Sequence, residues 1–153
     1  MKKILNIVLV CFMIVFLAGC DNNSEKTMTC TRKVTVTDDV KMDLLYKATY
    51  KNDVVSRIET VEKIISSDDS VLESYKNQLD SVYSPYAKVE YYDTSVEIDG
   101  DTLISNTKID YSKIDIDELI EIDSANSSLI DKDGKVKIDT VRNIYEKVGA
   151  TCK

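Results

Sequence analysis

The groups able to do chemistry in this 153-residue sequence are carboxylates, thiols and phenols, because it contains no histidine and no tryptophan. Without an imidazole, neither a Ser-His-Asp nor a Cys-His relay can be built, and histidine ligation of a metal is closed as well. Asp115 with Glu118, and Asp117 with Glu121, stand at spacings that share one helix face. Two carboxyl groups held in a cleft do acid and base work in glycosidases. The same spacing also describes a solvated helix face, and like charges at i, i+4 repel by a few tenths of a kcal/mol, which leaves a weak divalent-cation site as a third alternative. Two Asp-Gly segments have the outline of a calcium loop. With Gly134 as the sixth position, Asp131 and Asp133 fall third and fifth, but Leu129 falls first and Thr140 twelfth, where a bidentate Glu is required. Around Gly100 the corresponding residues are Ser95, Glu97 and Asp99. Neither makes an EF-hand, so both are expected to be turns, and no metal or cofactor is expected.

Cys20 stands between an apolar run and a polar one, in FLAGCDNNSEK. Lys2 and Lys3 give a positive start, Ile4 to Leu17 an apolar stretch broken by Asn6, and Ala18 and Gly19 a small-residue approach to a cleavage point. The run is shorter than the roughly 20 apolar residues that span a bilayer. Leu17-Ala18-Gly19-Cys20 resembles the lipobox of bacterial lipoproteins, which implies diacylglyceryl transfer to the Cys20 thiol and removal of residues 1–19 as a signal peptide. An ordinary cleaved secretory signal is the alternative. Two acyl chains, at about 0.8 kcal/mol per buried methylene, give long-lived attachment to membrane lipid. Losing Lys2 and Lys3 with no acidic residue moves the formal net charge from −7 to −9. That balance disfavours nucleic acid and supplies no polybasic second anchor. Residues 20–29 read as a lipidated tether and 30–153 as a single domain on the outer face of the cell membrane.

With Cys11 in the signal and Cys20 acylated, Cys30 and Cys152 are the remaining thiols. An even pair in an exported chain points to a disulfide; two buried free thiols or a redox pair are the other possibilities, the last at a spacing unlike C-x-x-C. A bridge would close a loop of about 120 residues, which the chain-entropy argument values at about 5 kcal/mol.

Nine tyrosines supply the phenols. Tyr83, Tyr86, Tyr91 and Tyr92 gather around Pro85, and Tyr83, Tyr86 and Tyr92 form a candidate patch for protein or glycan contacts. The plainer alternative puts Tyr91 toward the core with the others along its rim.

The elements that must position these groups follow from periodicity. Thr31 to Thr37, with Val34 and Val36 on one face, should pair through Asp38-Asp39 with the alternating strand Met42 to Tyr50, which leads through Lys51-Asn52-Asp53 to a strand over Val54 to Lys63. Ser66 to Asp69 offer caps for a helix whose apolar face is Val71, Leu72, Tyr75, Leu79 and Val82, ended by Pro85. A second block of three strands is expected over Lys88 to Tyr91, Val96 and Ile98, and, past Asp99-Gly100, Leu103 to Tyr111. Ile116, Leu119 and Ile120 suggest a short helix, Asn126 to Ser128 a loop, and Asp139 the cap of a last helix bearing Val141, Ile144, Tyr145 and Val148, with Gly149 as its stop. The pattern β-β-β-α-β-β-β-α-α argues an α+β class with an antiparallel sheet and helices packed on one face.

Tyr50 to Val55 leading to Glu59, Ile109-Asp110-Tyr111-Ser112 before an acidic helix, and the amphipathic Val141 to Gly149 helix, together with the lipobox, resemble the YehR-like family of small bacterial lipoproteins. The resemblance covers most of the mature domain, implies a compact α+β fold and implies no activity; the Cys30 and Cys152 pair lies outside it. The functional expectation is a non-enzymatic binding or interaction module whose partner is an envelope protein or ligand. The alternatives are a carboxylate-dependent envelope hydrolase, for which two carboxylates should share a cleft, and a small solute-capturing lipoprotein serving a transporter, for which an apolar cavity should exist.

Overall fold

The computed structural model describes residues 24–153. Residues 1–19, expected to be a signal peptide, and Cys20 lie outside the described residues. The chain runs β1 (Lys26–Thr37), β2 (Val40–Lys51), β3 (Val54–Ser66), α1 (Asp69–Tyr83), a 3-10 turn at Ser84–Tyr86, β4 (Tyr92–Asp99), β5 (Thr102–Asp110), α2 (Ile116–Ile122), a 3-10 helix at Ser124–Leu129, α3 (Ile138–Lys147) and β6 (Thr151–Cys152). The fold is α+β, with one open six-stranded antiparallel sheet in the order β4-β5-β3-β2-β1-β6.

Turn chemistry sets the register of the first three strands. Asn52 and Asp53, both at positive φ, form the two-residue turn that brings Lys51 opposite Val54, a conformation these short polar side chains tolerate and one whose twist matches the flanking strands. Asp38-Asp39 likewise brings Thr37 opposite Val40, but a bulge between Thr35 and Thr37 interrupts the alternation and leaves Val36 exposed rather than beside Val34. Alternation then places Met28 and Cys30 of β1, Leu44 and Ala48 of β2, Ile58 and Ile64 of β3, and Leu103 and Ser105 of β5 on one buried face. The other face carries Lys33 paired with Asp43 at 3.0 Å and Lys47 with Glu59 at 4.0 Å.

Two connections cover the buried face. The β3–α1–β4 crossover lays Leu72 of α1 on Val40, Ile64 and Leu103. The longer route from β5 to β6 lays Ile138 and Val141 of α3 on Met28, Cys30, Ala48 and Ile58, while Leu119 of α2 joins Val89 and Ile114. Asp68 caps α1 by accepting the Ser70 N–H at 2.9 Å. At the end of α3, Gly149 takes φ +87°, and the Ala150 and Gly149 N–H groups donate to the Tyr145 and Glu146 carbonyls, a Schellman ending.

Several expected boundaries shift. β1 begins at Lys26, so Lys26 to Thr29 belong to the sheet and not to a tether: Met28 is buried and opposes Ala48. The second block has two strands, not three. Lys88 to Tyr91 form no strand, because the Val89 N–H donates to the Tyr86 carbonyl and Tyr91 turns to φ +65°, which buries Val89 and exposes Tyr91. The sixth strand is β6 at the C-terminus, too short to show a period. Asn126 to Ser128 lie in a 3-10 helix capped by Asp123. Asp139 sits in the first turn of α3, whose N-cap is Lys137, and Val82 of α1 faces solvent.

Cys30 and Cys152 are joined by a disulfide. No described helix is long and apolar enough to cross a membrane.

Candidate functional site

The sheet, the 83–92 segment, α2 and α3 line a half-open cavity of about 270 Å³. Its floor is built by two cross-strand pairs, Ile58 with Ile109 and Thr60 with Thr107, on the buried face of β3 and β5. One wall is the i, i+3, i+4 row Val141, Ile144 and Tyr145 of α3, neighbours because that spacing shares a helix face. The opposite wall is Tyr83 at the end of α1, Tyr86 in the turn containing Pro85, and Tyr92 at the start of β4. Tyr111, just past β5, packs against both adjoining apolar clusters and links the two walls.

The phenols are held by one another and by amides. Tyr86 and Tyr92 stack with centroids 4.6 Å apart, and Tyr145 stacks on Tyr46 at 4.1 Å. The Asn126 amide donates to the Leu119 carbonyl at 2.9 Å and to the Tyr86 hydroxyl at 3.5 Å, so it fastens the 3-10 helix to α2 and to the tyrosine wall. The Ser105 hydroxyl donates to Tyr83 Oη at 3.5 Å. Burial, reinforced by the neighbouring phenols, pushes the Tyr111 hydroxyl up to about 12 and raises Tyr92 and Tyr145 as well. The lining holds no Lys, Arg, Asp or Glu, and burial keeps the Tyr92, Tyr111 and Tyr145 hydroxyls in their protonated form. Thr107 Oγ1 and Thr94 Oγ1, opposite each other on β5 and β4, are shielded from solvent without a hydrogen-bond partner.

The structure brings Tyr83, Tyr86 and Tyr92 together as a concave wall, each half-buried, and not as a convex patch. Tyr91, expected toward the core in the alternative, is the exposed one at 46%, with Lys113 Nζ 5.4 Å from its ring centroid. Asp115 is committed to capping α2, accepting the Asp117 N–H at 3.0 Å, and Asp117, Glu118 and Glu121 are exposed and outside the cavity. Asp131 accepts the Asp133 and Lys135 N–H groups in the turn at Gly134. Tyr111, Tyr145, Thr107 and Asn126 were not visible as site residues in the sequence. Tyr145 reads there as one more apolar position on a helix. Glu62 was also missed: it lies on the helix-facing side of β3, opposite Leu44 and Ser105, and burial raises its carboxyl above the ordinary range.

A larger hollow of about 370 Å³ lies over β3, β5 and β4, bordered by Glu59, Asp93, Asn106 and Lys108. These side chains belong to the opposite, charged face of the sheet, and no aromatic residue lines the hollow.

No family model matches the sequence, and no curated protein matches it. Two solved structures share the fold. One is the NMR structure of the E. coli YehR protein, with a TM-score of 0.58 and 16% identity over 85% of this chain and 91% of that one. The other is the NMR structure of a protein from Streptococcus pneumoniae TIGR4, with a TM-score of 0.52 and 15% identity over 86% of each chain. At these identities the likeness concerns the fold, which is YehR-like.

Proposed function

We propose that this protein is a YehR-like lipoprotein, held by acylated Cys20 on the extracytoplasmic face of a bacterial membrane, whose domain binds a small ligand without chemical conversion. The observation that carries the binding role is the cavity of about 270 Å³ walled by five tyrosines. Concave, mostly apolar sites with a few convergent polar groups are the usual form of small-molecule sites. Solute capture, first a secondary reading, thereby gains over interaction through a convex tyrosine surface. Hydrolysis loses support, because Asp115, Glu118, Asp117 and Glu121 do not line the cavity. Support for the anchor is the Leu17-Ala18-Gly19-Cys20 quartet after a basic and apolar leader.

Native mass spectrometry of the protein extracted from its own membranes tests both parts. The amino-terminal peptide should carry acyl chains on Cys20, and a Cys20→Ser variant should leave the membrane fraction. The intact domain should carry a non-covalent adduct that is lost when Ile144→Trp fills the cavity from α3. A bare Cys20 removes the anchor; no adduct, or one that survives Ile144→Trp, removes the binding role.

A further inference from the structure

We infer that the tyrosine cavity selects an uncharged ligand of a single ring. This rests on the cavity being a ligand site and adds the chemistry of what fills it.

Two observations carry the inference. First, the lining contains aliphatic, phenolic, hydroxyl and carboxamide side chains and no Lys, Arg, Asp or Glu. A carboxylate or an ammonium entering such a space gives up its hydration with no counter-ion to replace it, a cost that an uncharged molecule does not meet. The phenols do not supply the missing charge either, since burial holds those of Tyr92, Tyr111 and Tyr145 in their neutral form.

Second, the size and the walls favour a ring. The volume lies just below the roughly 300–1,000 Å³ usual for drug-sized ligands. Five of the fourteen lining residues are tyrosines, from both walls and from the link between them. Aromatic surfaces accept planar rings and the C–H faces of sugar rings better than they accept a thin chain.

The test is a titration of the isolated 24–153 domain, with its disulfide intact, followed by the aromatic-ring NMR signals of Tyr92, Tyr111 and Tyr145. The probes are benzyl alcohol and methyl glucoside as uncharged aromatic and pyranose rings, benzoate and benzyltrimethylammonium as charged counterparts, and hexanol as an uncharged chain. An uncharged ring should move the three tyrosines at concentrations roughly tenfold below those of any other probe, and the better of the two identifies the source of the ring. Ile144→Trp, which fills the cavity from α3, should abolish these shifts, and shifts that persist in it overturn the ring's place in the cavity. Equal or tighter binding of a charged probe or of hexanol overturns the uncharged ring and leaves the cavity a ligand site. If no probe moves the tyrosines, the ring and the binding role fall together.

Discussion

Cys30 and Cys152 face each other across the β1–β6 ladder with Cα atoms 4.0 Å apart, next to Thr29 and Lys153, which exchange both backbone hydrogen bonds at 2.9 Å. That makes the cysteines a non-hydrogen-bonded pair, the register in which side chains come closest. Two residues of β6 cannot hold a sheet edge by backbone bonds alone, so the bridge fastens the end of the chain to the buried base of β1. Replacing both with alanine is expected to lower unfolding stability by about 2–4 kcal/mol, the usual size for a disulfide. Urea denaturation measures the loss. Hydrogen exchange should show Thr29 and Lys153 opening first, and an unchanged urea midpoint would mean that the ladder holds without the bond.

Leu72 and Val82 occupy the same helix, and only one of them meets the core. Leu72 is fully buried against Val40, Ile64 and Leu103, while Val82 is 59% exposed. Leu72→Ala should cost about 2–5 kcal/mol through lost burial and the cavity it leaves. Val82→Ala, away from the core, should stay within about 0.5 kcal/mol of the parent. Thermal unfolding of the two variants side by side checks the pair, and a large loss at Val82 would show that α1 docks with a different face.

Where a local signal has its own chemistry, the sequence foretells the element. Asn52-Asp53 can adopt the turn it is read as, Asp68 can cap the helix that follows, and Gly149 can take the left-handed ending, each irrespective of what lies elsewhere. The misread segments are those decided at a distance. Lys88 to Tyr91 alternate like a strand, yet the pocket beside Ile114 and Leu119 claims Val89 alone. Met28 looks like part of a polar tether until Ala48 is set opposite it. Thr151 and Cys152 become a strand only because β1 is there to pair with. The site divides in the same way. Tyr83, Tyr86 and Tyr92 attract notice by crowding around one proline, but nothing local says that they face inward, and Tyr111 and Tyr145 join them only through the packing of α2 and α3.

Glu62 points from β3 toward the helices, between Leu44 and Ser105, and burial raises its carboxyl above the ordinary glutamate range. A carboxyl that holds its proton more tightly when folded favours the folded state below the unfolded value, near 4.3, and opposes it as the pH rises through the folded value. At neutral pH the ionised side chain is therefore a burden on stability. Glu62→Gln should raise the melting midpoint at pH 7, and the advantage should shrink on acidification until the two proteins melt together below about pH 4. A variant less stable than the parent at pH 7 would show that the carboxylate is satisfied where it lies.

The cavity tyrosines give the opposite end of the pH scale. Burial holds the Tyr111 hydroxyl up to about 12, and Tyr92 and Tyr145 are raised for the same reason. Below the unfolded value, near 10, both states keep these protons and the preference for the folded state is present in full; as the pH climbs past it the unfolded chain ionises first, and stability drains away. The phenolate absorbance of these three residues should accordingly appear together with the loss of folded structure rather than ahead of it. Tyr111→Phe removes one of the protons at stake and should move the alkaline unfolding midpoint upward. Spectrophotometric titration followed in parallel with circular dichroism measures both. If Tyr111 ionises near pH 10 in a protein that is still folded, the cavity is wetter than its lining implies, and the uncharged lining loses its basis.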